Sequence, residues 1–282
     1  MPELPEVETI ARGLDRRVKG DVIESVWLGS KPEPLKSPAA EIVATLESKR
    51  ILGVRRMGKH IVFDLERTRV EPERSSGKAS KSRAVMDQWI VHLGMTGRIL
   101  VCAAKEEVSR HTHAIARLAS GRELRFVDPR RFGRLSVTHG FAAPGSEPLE
   151  VELDRFVNLF RGRKTPIKSA LLNQRLLSGV GNIYADESLF RAGLRPRRRA
   201  SPRSKEGLRR LYLALQEVLR EAIGRGGSSI SDYVDADGEK GFFQLEHRVY
   251  GREGAPCLVC KTPIKRVVIA GRSSHYCPRC QK

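Results

Sequence analysis

Two adjacent residues at the start of the chain could do chemistry together. Pro2 follows Met1, so removal of that methionine would expose a secondary amine. The pKa of an α-amino group lies near ~8, against ~10.4 for lysine, so at neutral pH the terminal nitrogen is roughly a hundredfold richer in its nucleophilic form. Glu3 carries a carboxyl group that could act as a general acid. Taken alone, these residues would equally form a flexible terminus and an acidic helix start.

A second group with clear chemistry lies at the end of the sequence. Four of the five cysteines form two Cys-x2-Cys pairs, Cys257, Cys260, Cys277 and Cys280. In a reducing compartment this clustering favours metal binding over disulfides. Four thiolates surround one Zn²⁺ tetrahedrally and leave no coordination position open, and so short a segment needs the metal for its folding. The sequence therefore predicts one structural zinc ion.

Composition narrows the class of partner. The 282 residues include 52 Lys or Arg and 33 Asp or Glu, a formal net charge of +19. This excess favours a polyanionic partner, most commonly nucleic acid, with a generally basic surface as the alternative. A hydrophobic content of 40% excludes wholesale disorder. No apolar run reaches the ~18 residues of a membrane span and the acidic N-terminus is unlike a signal peptide, so we expect a cytoplasmic protein.

Hydrophobic patterning indicates which elements position these groups. Short apolar runs between turn residues predict strands at Val22–Leu28, Ile61–Leu65, Trp89–Leu93, Ile99–Cys102, Ala114–Leu118, Leu124–Val127 and Leu135–Thr138. Helical spacing predicts helices after Pro5 and at Ile167–Leu172, Ile183–Ala192 and Leu208–Ile223. Many strands without intervening helices are typical of an antiparallel sandwich or barrel. We interpret Arg67–Arg83 and Gly226–Gly241 as loops.

The expected fold class is therefore α+β with two domains and a small terminal module. We place an N-terminal β domain at residues 1–145, a helical domain at 146–245 and a four-cysteine zinc finger at 246–282. Basic residues of the finger, among them Arg272, could contact a nucleic-acid backbone.

Several motifs together carry a family resemblance. In chain order they are Pro2-Glu3-Leu4-Pro5-Glu6-Val7-Glu8, Met57-Gly58-Lys59-His60, His92-Leu93-Gly94-Met95-Thr96-Gly97, Asp128-Pro129-Arg130-Arg131-Phe132-Gly133, Gly179-Val180-Gly181-Asn182-Ile183-Tyr184-Ala185 and Val249-Tyr250-Gly251-Arg252. With the four cysteines, this series resembles the formamidopyrimidine-DNA glycosylase family, bacterial repair enzymes for oxidised purines. The resemblance implies a β-sandwich with the first helix at its edge, a helical domain containing a helix–two-turn–helix element, and DNA in the cleft between them.

The resemblance also implies catalytic roles. Pro2 would attack the sugar C1′ and form a cationic iminium that serves as an electron sink for strand cleavage. Glu3 would protonate the opening sugar or the departing base. Lys59, otherwise an ordinary surface charge between two strands, would contact phosphate and assist elimination. Arg272 would grip the phosphates of the lesion and take part in the second elimination.

DNA-binding roles follow in the same way. A flipped base leaves a hole in the duplex that must be filled. The void-filling residues implied by the resemblance are Met95, Arg130 and Phe132, of which Arg130 would face the orphaned base. Residues implied to hold the DNA backbone are His111, Arg163, Lys168 and Asn182. Taken alone, Met95 and Phe132 would be core residues and Asn182 a helix cap.

The implied function is excision of oxidised purines, such as 8-oxoguanine and formamidopyrimidines, from duplex DNA, followed by β,δ-elimination at the abasic site. Expected partners are double-stranded DNA with oxidised bases or abasic sites; we expect a monomer with no obligate protein partner and zinc as the one cofactor. A sister activity on oxidised pyrimidines is one alternative, with the Gly226–Gly241 loop shaping the lesion pocket. A non-catalytic DNA-binding protein with a zinc module is the other.

Overall fold

A computed structural model describes residues 1–66, 86–200, 205–229 and 241–282. The predicted loop at Arg67–Arg83 lies outside these ranges, and so does most of the predicted loop at Gly226–Gly241. Among the described residues, no helix combines the length and the apolar character needed to cross a membrane.

The N-terminal part is an antiparallel β-sandwich with a helix packed on it. Its helices are α1 (Leu4–Val18) and α2 (Ala39–Leu46), and its strands are β1 (Ile23–Leu28), β2 (Ile51–Met57), β3 (His60–Leu65), β4 (Asp87–His92), β5 (Arg98–Ala103), β6 (Thr112–Leu118), β7 (Arg122–Val127) and β8 (Arg134–His139). One four-stranded sheet has the order β1-β6-β7-β5 and the other β2-β3-β4-β8. The expected sandwich is confirmed.

The first helix belongs to both parts of the molecule. Pro5 lies in its first turn, where a missing amide hydrogen costs nothing. Val7, Ile10 and Leu14 are buried at helical spacing and pack into the apolar core of the sandwich. Leu4, in contrast, packs into the core of the helical part. The N-terminal residues are therefore held at the junction between the two cores.

The described residues of the C-terminal part form four helices and a hairpin. The helices are α3 (Leu153–Phe160), α4 (Ile167–Leu171), α5 (Asn182–Arg191) and α6 (Lys205–Gly224), followed by a 3₁₀ turn (Phe243–Glu246) and the strands β9 (Lys265–Ile269) and β10 (Arg272–Tyr276). A third, small apolar cluster contains Cys257, Ile264 and Cys277. The segment between α4 and α5 forms the turns of the expected helix–two-turn–helix element. The domain boundaries at residues 145 and 245 remain a proposal. Leu4 lies before the first boundary in sequence but packs into the core of the helical part.

The sequence-based prediction missed α2, α3 and β2. Strand β2 shows why. Its pattern is interrupted by Gly53 and by Arg55 and Arg56, whose charges find partners only in the folded chain: Arg55 pairs with Asp64 at 2.6 Å and Arg56 with Glu147 at 2.7 Å.

Candidate active site

A cleft of about 760 Å³ lies where the three parts of the chain meet. The sandwich, the helix–two-turn–helix segment and the tip of the hairpin all contribute to its walls. The predicted site residues that line this cleft are Pro2, Glu3, Lys59, Met95, Arg130, Asn182 and Arg272. Residues so distant in sequence share one cavity, as catalysis by the N-terminus requires.

Close packing against two glycines positions Glu3. The amide of Leu4 donates to the carbonyl of Gly179 at 3.1 Å, and Glu3 Oε1 accepts from the amide of Ile183 at 3.3 Å. A Cβ placed on Gly181 would lie 2.1 Å from Glu3 Cδ, so any other residue there would displace the carboxyl group. Gly179 has a φ of +98°, which favours glycine. The Gly-Val-Gly-Asn motif therefore forms the surface against which the carboxyl group of Glu3 packs.

Burial tunes the proton affinity of Glu3. The side chain is only 5% exposed, and burial raises its pKa from 4.5 to about 7. The ammonium of Lys59 partly offsets this rise, whereas the carboxylate of Glu6 adds to it. Glu3 Oε2 is buried and has no hydrogen-bond partner among the described residues. Near neutral pH the group can therefore give up or hold a proton, as a general acid must.

Glu6, for which the sequence predicts no more than the role of an acid at a helix start, is a buried carboxylate with several partners. Its Oε2 accepts from the amide of Glu3 at 2.8 Å, and its Oε1 accepts from the amide of Ser228 at 2.7 Å and from the hydroxyl of Tyr184. One carboxylate thus ties the N-terminus to α5 and to the loop that begins at Gly226. The one sequence signal was its spacing of three residues from Glu3 at a helix start.

Two cationic side chains line the cleft. Lys59 lies in the turn between β2 and β3 and is 8% exposed, and Arg272 begins β10. Burial lowers the pKa of Lys59, and repulsion from Arg272 lowers it further, while Glu3 and Glu6 act in the opposite direction. These two side chains give the cleft the positive charge that a phosphate would require.

The three predicted void-filling residues lie on two loops, and the carboxylate of Asp128 accepts hydrogen bonds from both loops. The side chains of Met95 and Phe132 are 45% and 52% exposed, and the guanidinium of Arg130 lies 4.8 Å from the centre of the Phe132 ring. Asp128, which is fully buried, accepts from Thr96 Oγ1 at 2.6 Å and from the amide of Gly133 at 2.7 Å. Asp128 therefore holds the Met95 loop and the Phe132 loop in one arrangement. Phe132 itself lines a smaller groove beside the cleft.

Three predicted DNA-backbone residues are not among those lining the cleft. His111 precedes β6, and its carbonyl accepts from the amide of Asp128 at 3.0 Å. Arg163 follows α3 and donates to the carbonyl of Leu159 at 2.6 Å. Both are partly exposed and stay predictions. Lys168 is different: its side chain is 1% exposed and pairs with Asp186 at 2.7 Å. The phosphate contact implied for Lys168 stays a prediction, and in this structure its ammonium contacts the carboxylate of Asp186.

Asn182 is the first residue of α5 rather than its cap, which is Gly181. Its Nδ2 donates to Ser273 Oγ at 3.4 Å, and its Oδ1 is buried without a hydrogen-bond partner among the described residues. Tyr250, from the last motif of the sequence, also lines the cleft. The carboxylate of Glu187 fixes its turn by accepting from the amides of Val249 at 3.0 Å and Tyr250 at 2.8 Å.

The four cysteines fit a zinc ion. Their sulfur atoms all lie within 4.8 Å of one another; Cys257 and Cys280 are 3.9 Å apart, and Cys260 and Cys277 are 3.4 Å apart. A tetrahedral site with Zn–S distances of about 2.3 Å requires sulfur separations of about 3.8 Å. Four soft thiolates complete the coordination, so the ion is structural.

Comparisons with known proteins agree with this architecture. Residues 1–135 match the formamidopyrimidine-DNA glycosylase N-terminal domain, residues 144–234 its H2TH domain, and residues 254–282 the zinc finger found in FPG and IleRS. A formamidopyrimidine-DNA glycosylase of Solibacter usitatus (strain Ellin6076) is 44% identical, with 100% of each chain covered. This chain belongs to the formamidopyrimidine-DNA glycosylase family. It is therefore an enzyme, a DNA glycosylase that acts on damaged DNA.

Solved structures of this family have the same fold. The MutM (Fpg) protein from Thermus thermophilus is 41% identical with a TM-score of 0.82, covering 99% of this chain and 98% of that one. A mutant Lactococcus lactis Fpg in complex with a Fapy-dG containing DNA is 29% identical with a TM-score of 0.86 over 100% of both chains. The Lactococcus lactis enzyme with abasic-site DNA gives a TM-score of 0.85 at 29% identity over 99% of both chains.

Proposed function

We propose that this glycosylase excises oxidised purines from duplex DNA and then cleaves the abasic strand by β,δ-elimination. The observation that carries the proposal is the meeting of Pro2, Glu3, Lys59 and Arg272 in one cleft. A nucleophile, an acid with a pKa of about 7 and two phosphate-binding cations are the groups that this reaction needs. The relatives of known structure that bind Fapy-dG or abasic-site DNA support the substrate class.

The nucleophile is the amine of Pro2 after removal of Met1. Its nitrogen forms a bond to the sugar C1′ while the bond from C1′ to the damaged base breaks. The nitrogen then gives up its proton and the sugar ring opens: the C1′–O4′ bond breaks, O4′ takes a proton, and a C1′=N⁺ iminium forms. Because proline is a secondary amine, this iminium has no proton to lose from nitrogen and stays cationic. That positive charge draws electrons toward C1′ as a proton leaves C2′ and the 3′-phosphate departs. A second elimination then expels the 5′-phosphate.

Glu3 supplies the proton for the first step. With a pKa of about 7, roughly half of the molecules carry that proton at neutral pH. Its position beside Pro2 and against the N-terminus of α5 supports the role of an acid at the reacting sugar. The amide of Ile183 that bonds Oε1 then stabilises the carboxylate that remains.

Lys59 and Arg272 bind the phosphates on either side of the lesion. Their shared positive potential favours the DNA backbone over any neutral ligand and stabilises the negative charge of the departing phosphates. Met95 and Phe132 would occupy the gap left by the flipped base, with Arg130 facing the partner base across it. His111, Arg163 and Asn182 would hold the flanking backbone.

Borohydride trapping on defined duplexes tests this function. Duplexes with 8-oxoguanine or formamidopyrimidine should give a covalent adduct and strand products with phosphate at both ends of the gap. Preferential trapping on an oxidised pyrimidine would favour the sister activity instead. Tight binding without any adduct, even at a preformed abasic site, would identify a non-catalytic DNA-binding protein and overturn the proposal.

A further inference from the structure

A buried pair of opposite charges joins the helical part to the hairpin that carries Arg272. Lys168 is on α4 and Asp186 on α5; their side chains are 1% and 0% exposed, and Lys168 Nζ lies 2.7 Å from Asp186 Oδ1. Two charges this deeply buried are costly unless their remaining hydrogen-bonding capacity is used. In this structure it is used on the backbone of β10.

Each member of the pair contacts one main-chain group of β10. Lys168 Nζ donates to the carbonyl of Ser273 at 2.6 Å, and Asp186 Oδ2 accepts from the amide of His275 at 2.8 Å. In a strand, the carbonyl of one residue and the amide of the second residue after it point to the same edge. Strand β9 pairs along the other edge of β10. The ion pair therefore occupies the place of a third strand, with lysine as donor and aspartate as acceptor.

The same helix also holds the general acid. The amide of Ile183, in the first turn of α5, bonds Glu3, and Asp186 lies one turn further along that helix. An α-helix is stiff over one turn, so α5 sets the distance between the Glu3 carboxyl group and the start of β10. Arg272 is the residue immediately before the carbonyl that Lys168 binds.

We propose that Lys168 and Asp186 are positioning residues that dock the edge of β10 and thereby aim Arg272 into the cleft. This inference rests on the proposed role of Arg272 at the lesion phosphates. It is an alternative to the direct phosphate contact that the family resemblance implies for Lys168. The zinc-bound end of the finger has separate contacts, since Arg195 donates to the carbonyls of Gln281 at 2.9 Å and Pro278 at 2.8 Å. Loss of the ion pair should therefore loosen the hairpin without releasing the finger.

Hydrogen exchange in the zinc-loaded, DNA-free protein tests the docking itself. Asp186→Asn and Lys168→Met should each speed amide exchange at residues 273–276 by tenfold or more while zinc stays at one ion per chain. Ser188→Ala is the matched control on α5, because Ser188 Oγ is buried without a hydrogen-bond partner among the described residues. Unchanged exchange in both variants would overturn the proposal. If a single variant is too unstable to purify, the charge-free Lys168→Met/Asp186→Leu protein must show the same faster exchange.

A double-mutant cycle with Arg272→Ala tests the connection to Arg272. Lys168→Met should slow single-turnover excision by tenfold or more in the wild-type background, and by less than twofold when Arg272 is already alanine. The salt dependence of DNA binding should likewise be the same for Arg272→Ala and the double variant. Two results together would instead show that Lys168 binds DNA directly. The losses of excision rate in the two single variants would multiply in the double variant, and the slope of log affinity against log salt would become shallower by about one further phosphate contact. A wild-type enzyme inactive on oxidised purines would refute the proposed function and leave the exchange result to decide the docking.

Discussion

Gly181 leaves just enough room for the carboxyl group of Glu3, since a Cβ on this glycine would lie 2.1 Å from Glu3 Cδ and 2.3 Å from Oε1. Glu3 stands at the beginning of the chain and Gly181 at the cap of α5. Their contact fixes Glu3, the proposed general acid, against the N-terminus of α5, where the amide of Ile183 donates to its carboxylate. The position of the acid therefore depends on a residue that takes no part in the reaction.

Gly181→Ala should displace Glu3 and slow base excision by two orders of magnitude or more, because correctly placed general acids contribute about 10²–10⁴ to rates. Single-turnover excision from an oxidised-purine duplex measures the effect. Gly224→Ala is the matched control, since a Cβ there meets no atom within 4 Å. An active Gly181→Ala enzyme would mean that Glu3 is not the acid.

The raised pKa of Glu3 gives the fold a pH-dependent stability. Because the folded pKa of about 7 exceeds the ordinary 4.5, the contribution of this group is complete below pH 4.5 and is lost as the pH rises through 7. Ionising Glu3 in the fold costs about 3 kcal/mol at most. Glu3→Gln should therefore gain up to about that much stability relative to wild type between pH 4 and pH 9, while excision falls.

Denaturant unfolding of both proteins across this pH range measures the difference. Glu24→Gln, on an exposed position of β1, controls for the loss of one carboxyl group. A stability difference between Glu3→Gln and wild type that does not change with pH would contradict the assignment of a buried acid with a raised pKa.

Asp128 is fully buried, yet we expect it to be essential for the arrangement of the proposed void-filling residues Met95 and Phe132. Asp128→Ala removes the acceptor shared by Thr96 and Gly133 and frees the Met95 and Phe132 loops from each other. We expect a loss of about 2 kcal/mol in binding to a lesion duplex, because hydrogen bonds to charged groups contribute about that much. Binding to undamaged duplex should change little.

Fluorescence anisotropy on lesion and undamaged duplexes separates these two effects. Asp154→Ala, an exposed carboxylate on α3, is the control. Equal weakening on both duplexes would show that Asp128 acts through general DNA binding rather than through the two loops.

Removal of zinc should lower activity indirectly, because the hairpin that carries Arg272 would lose its order. Cys277→Ala breaks the four-sulfur site, and the hairpin with Arg272 should lose its order, so DNA affinity and excision should fall together. The β-sandwich has its own apolar core and should stay folded. Metal analysis, circular dichroism and excision assays check this. A zinc-free variant with full affinity and excision would place Arg272 outside the active cleft.

The sequence predicted the sandwich and α1 because their apolar residues follow strand and helix periods closely. Strand β2 was hidden, since Arg55 and Arg56 interrupt its alternation and are neutralised by residues that only folding brings near. Residue type and spacing indicated a chemistry for Pro2, Glu3 and the cysteines, whereas Lys59 became a candidate only through the family resemblance of its motif. Glu6 and Lys168 could not be interpreted in this way, because their roles depend on partners as remote as Ser228 and Ser273.

The central claim is that the amine of Pro2 forms the covalent bond to DNA. Mass spectrometry of the borohydride-reduced adduct, after digestion of protein and DNA, locates the modified residue directly. The account predicts chains that begin at Pro2, with the sugar remnant on that nitrogen, and no adduct for Pro2→Gly or for a protein that retains an N-terminal tag. A remnant on Lys59, or undiminished trapping by the tagged protein, would contradict it.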